Sequence, residues 1–239
     1  MRADFTVGSK IGDGAYGTVF KVECSNEAVQ KKVQPVMSAT PISYALKEML
    51  IHKFLQEGRM KEVFIERCIL ASLDHPLIIK FFHSFKNQNK LYLLVEYCSR
   101  GSLVTFLKRQ GSLNNLLAKH ITAQMIVALE YLRKMEIVHR DLKPGNIVLD
   151  SNYHIKLIDF ATCKVFNKEI LAKIGAFKNK NDFLRSMGFS DDYEINRSTQ
   201  DSRMNSMVGT EEYLAPETIN DRGELSYTCD YWSLGVILY

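Results

Sequence analysis

The segment His139–Asn146 reads His-Arg-Asp-Leu-Lys-Pro-Gly-Asn, and an Asp-Phe pair, Asp159 and Phe160, begins thirteen residues after Asn146. This short span holds a carboxylate that can accept a hydroxyl proton, a cation that can neutralise phosphate charge, and two side chains that can bind a metal ion. Phosphoryl transfer needs such a set, because its catalysis consists mostly of positioning and charge stabilisation. The span therefore predicts a phosphotransfer site.

The composition is that of an ordinary globular protein that buries a core, with 46% hydrophobic and 24% charged residues in 239. The net charge of +4 suits an acidic ligand such as a nucleotide. The basic residues form no long run, so we expect no nucleic-acid partner. Five cysteines without C-x-x-C spacing predict reduced thiols in a cytoplasmic protein, and no apolar run approaches the ~18 residues of a membrane segment.

Apolar periodicity divides the chain into a strand-rich first part and a helix-rich second part. This order predicts an α+β protein with a small β-rich lobe over residues 1–97 and a mainly helical large lobe over residues 98–239. A ligand cleft between the two lobes is the expected place for the site. The predicted elements are a strand–turn–strand unit over Phe5–Val22, a loop over Cys24–Ser43, strands at Tyr44–Lys47, Leu77–Phe85 and Leu91–Tyr97, and helices over Arg59–Leu73 and Leu113–Met135.

Three glycines near the start of the chain follow the G-x-G-x-x-G-x-V pattern: Gly12, Gly14 and Gly17, with Val19 as the valine. Glycines let backbone N–H groups approach phosphates closely, and the valine would pack on an adenine ring. A dinucleotide-binding turn shares this spacing, and a plain hairpin turn is the other alternative. A dinucleotide site needs a helix straight after the third glycine, whereas Thr18–Val22 continues as a strand, which favours a phosphate loop of the hairpin type.

Three further motifs complete the pattern: Tyr44-Ala45-Leu46-Lys47 with Glu66 nineteen residues later, Ala215-Pro216-Glu217, and Asp230-Tyr231-Trp232-Ser233-Leu234-Gly235. Together with the glycines and the segment 139–146, they resemble the protein kinases over almost the whole chain. Lys143, two residues after Asp141, is typical of the serine/threonine kinases. The resemblance implies the two-lobed protein-kinase-like fold, ATP and Mg²⁺ as cofactors, and transfer of the γ-phosphate to serine or threonine hydroxyls of protein substrates.

The resemblance also assigns roles to individual residues. Asp141 would accept the substrate proton, with Lys143 and Asn146 beside it, and Asn146 and Asp159 would bind the metal. Lys47, held by Glu66, would bind the α- and β-phosphates, although two solvated surface charges are the alternative. His139 would pack against Phe160 as a structural residue. The other expected ATP-binding residues are Ile11, Gly12, Gly14, Gly17, Val19, Ala45, Glu96, Cys98 and Val148.

Within the kinases, segments such as Ser72–Pro76 and Asn205–Thr210 resemble the AGC group, and in it the phosphoinositide-dependent kinases. That resemblance implies that Ser206 is a regulatory phosphosite and that its phosphate docks on Arg140 and Lys164. It implies that Thr210 shapes the site for a hydroxyl substrate. Other AGC-type kinases would dock at a small-lobe groove, for which ordinary core packing is the alternative. The groove residues would be Phe54, Leu55, Met60, Val63 and Leu91.

The chain departs from the kinase pattern at three places. Ala161 replaces the glycine that usually follows Asp-Phe, which reduces the conformational freedom of that position. The 57 residues between Asp159 and Glu217 exceed the usual length, and the polar stretch 167–199 is expected to be a mobile surface insert. The chain stops at Tyr239 inside a predicted helix, so we expect a large lobe that is incomplete at its C-terminus.

Two other functions fit parts of the pattern. A pseudokinase or inactive fragment would use the same fold as a nucleotide- or protein-binding module. Joint retention of Lys47, Glu66, Asp141, Asn146 and Asp159 argues against it. A nucleotide-dependent oxidoreductase is disfavoured by the strand that follows the third glycine.

Overall fold

A computed structural model describes residues 5–14, 17–24, 43–87, 89–175, 209–219 and 226–239. They fall into two compact units. The described residues of the first unit lie within Met1–Met60 and Lys80–Tyr97, and those of the second within Lys61–Ile79, Cys98–Ala176 and Arg197–Tyr239. No helix among the described residues is both long and apolar enough to cross a membrane.

The first unit is an antiparallel sheet of five strands in the order β1-β2-β3-β5-β4, with one short helix after β3. Its elements are β1 (Phe5–Gly14), β2 (Gly17–Cys24), β3 (Ser43–Leu50), α1 (Ile51–Gln56), β4 (Phe81–Lys86) and β5 (Lys90–Glu96). Along β3, Tyr44 and Leu46 share one face because side chains alternate with period two, and both belong to an apolar cluster that includes Phe5, Val22 and Tyr92. The predicted strands at 5–22, 44–47 and 91–97 are confirmed.

The second unit is mainly helical. Its helices are α2 (Met60–Leu70), α3 (Leu103–Gln110), α4 (Asn115–Lys134), α5 (Lys168–Gly175), α6 (Pro216–Ile219) and α7 (Thr228–Leu238). Its strands are β6 (Gly101–Ser102), β7 (Ile137–Val138), β8 (Ile147–Leu149), β9 (Ile155–Leu157) and β10 (Lys164–Val165), which form a β6-β8-β9 sheet and a β10-β7 pair. The long predicted helix is confirmed as α4, where the Asn114 side chain accepts the Leu117 N–H at 2.8 Å as an N-cap.

The predicted strand over 77–85 is wrong in its first half. β4 begins at Phe81, whereas the backbone before it bonds to β9 of the second unit. Ile79 N donates to Leu157 O at 3.0 Å, and Leu157 N donates to Leu77 O at 2.9 Å. The apolar run at 77–79 is therefore paired with another part of the chain and does not extend β4.

The sequence pattern did not predict the short helices α1 and α3. Helices of six and eight residues are too short to show a clear apolar period.

Residues 61–79 group with the second unit, although the sequence placed them in the small lobe. Besides the bonds to Leu157, the Asp74 N–H donates to the Tyr131 hydroxyl at 3.0 Å. His75 stacks on the Tyr131 ring with 4.4 Å between centroids. These tertiary contacts fix the end of this segment on α4, and no local pattern could have indicated them.

The insert begins with an ordered helix and not with a mobile stretch. α5 spans Lys168–Gly175, and the Asn167 side chain accepts the N–H groups of Glu169 and Ile170 at 3.1 Å. Ile170 is only 2% exposed, so the helix packs against the rest of the unit. The expectation of a mobile insert is wrong for these residues. Residues 176–199, like most of the predicted loop 24–43, lie outside the described part of the chain.

Candidate active site

Three side chains of the second unit form a closed triangle of polar contacts. Lys143 Nζ donates to Asp141 Oδ2 at 2.8 Å and to Thr210 Oγ1 at 2.7 Å. The Thr210 hydroxyl donates to Asp141 Oδ1 at 2.8 Å. A carboxylate offers about four acceptor positions, so Asp141 keeps capacity to accept a further hydrogen bond from a hydroxyl. The structure thus brings together a base, a cation and a hydroxyl that lie up to 69 residues apart in the sequence.

Asn146 completes the set from the end of a short 3-10 turn, Pro144–Asn146, directly before β8. Its Nδ2 donates to Asp141 O at 2.8 Å and to Asp141 Oδ2 at 2.9 Å. Both amide hydrogens are therefore used to hold Asp141, and the amide oxygen is left as a possible metal ligand. Asp141 and Asn146 are 7% and 6% exposed, so both candidate site residues lie in a largely desolvated position.

Asp159 lies at the same end of the β8-β9 pair as Asn146. Ile147 pairs with Leu157, and Ile158 N donates to Asn146 O at 3.0 Å. These two contacts bring the backbones of the two predicted metal ligands close together. Asp159 has a left-handed φ of 66°, and its Oδ1 is buried without a hydrogen-bond partner. A buried carboxylate oxygen without a partner is costly, and a cation would remove that cost.

The donor set of Asn146 and Asp159 fits Mg²⁺. Magnesium prefers oxygen ligands, is commonly held by one or two carboxylates, and completes its shell with water and substrate phosphates. The described residues contain no group of three or more histidine, cysteine or acidic side chains that could cage a metal.

The segment 139–146, which we call the catalytic segment, is held in place by Asp230 of α7. Asp230 Oδ2 accepts the His139 N–H at 2.8 Å, and Asp230 Oδ1 accepts the Arg140 N–H at 2.9 Å. Burial raises the pKa of Asp230, and the nearby His139 and these two N–H groups partly oppose the rise. Arg140 has a left-handed φ of 71°, a strained conformation for an arginine, so its position depends on contacts of this kind.

His139 is a structural residue, as predicted. Its Nε2–H donates to Ile158 O at 3.0 Å, and its Nδ1 accepts the Asp141 N–H at 3.4 Å. The imidazole packs against Phe160 with 5.2 Å between ring centroids. Both ring nitrogens are engaged by the backbone, so this side chain ties the catalytic segment to the strand end that carries Asp159.

Arg140 and Lys164 lie near each other in the backbone because Lys164 of β10 pairs with Val138 of β7, two residues before Arg140. The Arg140 Nε is buried without a hydrogen-bond partner. Burial lowers the pKa of its guanidinium, and the neighbouring Cys229, Cys163 and Asp230 oppose that effect. Ser206, the predicted phosphosite, lies outside the described residues.

The sequence pattern assigns Gly209 no role, and the structure gives it one. Its φ is +125°, and an added β-carbon would lie 2.7 Å from Arg140 O and 2.7 Å from Leu214 Cδ2. Only glycine fits this close approach of two backbone segments. Its position directly before Thr210 was the signal available in the sequence.

The predicted ATP-binding residues of the first unit lie on neighbouring strands. The Gly14–Gly17 pair closes the β1-β2 hairpin, and Val19 pairs with Lys47 of β3. Gly17 has φ +130°, and an added β-carbon would lie 2.2 Å from Glu48 O, so glycine is required there. The remaining positions are Ile11 and Gly12 on β1, Ala45 on β3 and Glu96 on β5.

The second unit holds the remaining predicted nucleotide residues. Glu66 is buried on α2, 4% exposed. The Cys98 carbonyl accepts the Gly101 N–H at 3.2 Å, and Val148 lies on β8.

The predicted small-lobe groove is mostly buried. Of its five residues, Phe54, Met60, Val63 and Leu91 are buried and Leu55 is half-buried. Four of them therefore serve as core residues and present little surface.

Comparisons with known proteins show which family the chain is similar to. Residues 5–239 match the protein kinase domain. The serine/threonine-protein kinase PKH2 of Saccharomyces cerevisiae is 34% identical over an alignment of 241 positions, which covers 99% of this chain and 19% of that protein. The human 3-phosphoinositide-dependent protein kinase 1 is 30% identical over 236 residues, 99% of this chain and 35% of that protein.

A plant protein named as a probable serine/threonine protein kinase, IRE of Arabidopsis thaliana, is 34% identical over an alignment of 245 positions, which covers 99% of this chain and 19% of that protein. The chain thus spans about a fifth to a third of the length of these three relatives. All three names describe serine/threonine or phosphoinositide-dependent kinases, which confirms the resemblance predicted from the motifs. The chain belongs to the protein kinase domain family.

Proposed function

We propose that the protein containing this chain is a serine/threonine protein kinase, which transfers the γ-phosphoryl group of ATP to a serine or threonine hydroxyl of a protein. The observation that carries this proposal is the triangle of Asp141, Lys143 and Thr210, with contacts of 2.7–2.8 Å. It supplies a base, a cation and an orienting hydroxyl at one point. No observation on the described residues favours the pseudokinase alternative.

In this mechanism the substrate hydroxyl oxygen attacks the γ-phosphorus, the bond to the β-phosphate oxygen breaks, and ADP leaves. Asp141 orients the hydroxyl and accepts its proton, while Lys143 offsets negative charge on the transferring group. Asn146 and Asp159 would hold Mg²⁺, which neutralises charge on the phosphate oxygens when it is bound. Lys47 of β3 would bind the α- and β-phosphates, with Glu66 fixing its direction.

The choice of acceptor is testable with peptides. The protein that contains this chain, incubated with Mg²⁺ and γ-labelled ATP, is expected to label a peptide whose only hydroxyl residues are serine and threonine. A matched peptide with tyrosine in those positions is expected to stay unlabelled. Equal labelling of the tyrosine peptide would contradict the serine/threonine assignment, and binding of ATP without labelling of either peptide would favour a binding module.

We further infer that a phosphate on Ser206 activates the enzyme by binding Arg140 and Lys164. The buried, unpartnered Nε of Arg140 supports this proposal, because a phosphate oxygen would satisfy it. Such a phosphate carries about −1.5 to −2 charges and forms strong, often bidentate bonds with arginine.

We also propose that the protein is cytoplasmic, because its five cysteines show no C-x-x-C spacing.

Phosphopeptide mapping tests the role of Ser206. After incubation with Mg²⁺-ATP, phosphate is expected on Ser206, and the Ser206→Ala variant is expected to lose most of its activity. Ser198→Ala is the matched control and is expected to behave as the unmodified chain. Full activity of Ser206→Ala, with phosphate found only on Ser186, Ser190 or Ser198, would contradict the proposal.

Docking of other AGC-type kinases on the small-lobe groove stays a prediction. The AGC-like segments and the human relative support it, whereas the burial of Phe54, Met60, Val63 and Leu91 counts against an open groove. Leu55, which is half-buried, is the position at which an aspartate substitution would most directly affect a docked peptide.

A further inference from the structure

Three side chains hold the turn between β8 and β9, residues 150–154, against the segment that follows Cys98. Arg100 Nε and Nη2 both donate to Ser151 O, at 3.0 and 2.9 Å. The Arg100 guanidinium carbon lies 3.7 Å from the centroid of the Tyr153 ring, a close cation–π stack. Phe106 of α3 packs edge to face against the same ring at 5.9 Å. We call Arg100, Tyr153 and Phe106 the turn clasp.

The backbone around the turn clasp leads directly to two expected nucleotide residues. Arg100 N donates to Leu149 O at 3.1 Å, and Ser102 pairs with Val148 where β6 meets β8. Arg100 also lies inside a tight turn that begins at Cys98, because Gly101 N donates to Cys98 O. These backbone hydrogen bonds hold Cys98 and Val148 relative to each other, and the Arg100 side chain adds to them through its two bonds to Ser151 O.

Tyr153 shows that the turn clasp holds the backbone in an unusual state. Its φ is 65°, in the left-handed region that a bulky aromatic residue rarely adopts. Such a conformation persists only where surrounding contacts stabilise it. The stack with Arg100 and the packing of Phe106 add to the hydrogen bonds within the turn, in which Asp150 Oδ1 accepts the N–H groups of Asn152 and His154 at 2.8 and 2.9 Å.

We propose that Arg100 is a positioning residue for the adenine side of ATP, which rests on the proposed kinase function. It keeps the Cys98 turn and the Val148 strand in one arrangement before the nucleotide arrives. A preorganised site binds more tightly because less ordering is needed on binding. The Arg100 side chain is engaged by Ser151 O and by the Tyr153 ring, so we expect its loss to change nucleotide affinity and not the chemical step.

The proposal requires an arginine at this position. A guanidinium is planar, so it can lie flat on an aromatic ring while two of its N–H groups converge on one carbonyl oxygen, whereas the compact ammonium of a lysine has no planar fork to do both at once. The Arg100→Lys variant therefore keeps the charge but loses the fork and the stack. A change in nucleotide affinity in this variant would therefore come from loss of the turn clasp and not from loss of a positive charge.

The test compares Arg100→Lys, Arg100→Ala and the control Arg109→Ala, in which an exposed arginine at the end of α3 is removed. The Kd for a non-hydrolysable ATP analogue with Mg²⁺ is measured by titration calorimetry, and kcat and KM for ATP by peptide phosphorylation. We expect both Arg100 variants to raise Kd and KM about fivefold with kcat within about twofold, and Arg109→Ala to change neither.

Two outcomes would overturn the proposal. An unchanged Kd in Arg100→Lys would do so, whatever its melting temperature, because Arg100 would then only stabilise the turn. A fall in kcat at constant KM would do so as well, because it would place Arg100 in the chemical step. Failure of the unmodified chain to bind the analogue is a different result, and it would contradict the proposed function itself.

Discussion

Replacing Asp141 by asparagine is expected to slow phosphotransfer by about 10²- to 10⁴-fold, the usual contribution of a positioned general base. Asparagine has nearly the same shape but cannot accept the proton of the substrate hydroxyl. It also offers one acceptor oxygen where the carboxylate offers two, for Lys143 and for Thr210. Single-turnover transfer of labelled phosphate to a serine peptide measures the effect.

ATP binding should survive this substitution, because Asp141 positions the nucleophile and not the nucleotide. The Kd for an ATP analogue is therefore expected to stay within about twofold of that of the unmodified chain. Asp74→Asn, which alters an exposed carboxylate in the α2-β4 segment, is the matched control and should leave the rate unchanged. Turnover in Asp141→Asn equal to that of the control would show that Asp141 is not the base.

Replacing Asp230 by alanine is expected to have the largest effect on stability. It leaves the N–H groups of His139 and Arg140 without acceptors and removes a negative charge beside the buried Arg140 guanidinium. Loss of one partner from such a buried charged network costs about 3–5 kcal/mol. Whole domains are stable by only about 5–15 kcal/mol, so the variant should be close to unfolding at physiological temperature.

Chemical denaturation followed by circular dichroism measures this loss, and the peptide assay shows whether activity falls with it. Glu130→Ala removes an exposed carboxylate from α4 and is expected to change the free energy of unfolding by less than about 0.5 kcal/mol. The strained φ of Arg140 predicts that activity falls even where Asp230→Ala is still folded, because the catalytic segment loses its brace. A stable and fully active Asp230→Ala variant would contradict this role.

The sequence by itself determined the family and most of the chemistry. The β1-β2 hairpin closed by Gly14 and Gly17, the strand with Lys47 and the segment 139–146 are local patterns. In each of them, residues that are close in the sequence are also close in the structure. The spacing of glycines predicts the turn, and the alternation of apolar residues predicts the strand. For the same reason the long helix α4 could be read from its apolar period of three to four residues.

The tertiary structure decided which distant residues complete the site. Asp230 reaches Arg140 across 90 residues, and Thr210 reaches Asp141 across 69. Gly209 is required only because the Arg140 backbone passes so close to it. The bonds of residues 77–79 to Leu157 and the burial of Ile170 on α5 overrode the local expectations of a strand and of a mobile insert. Buried polar groups and apolar side chains must find partners somewhere in the fold, and the local sequence does not say where those partners lie.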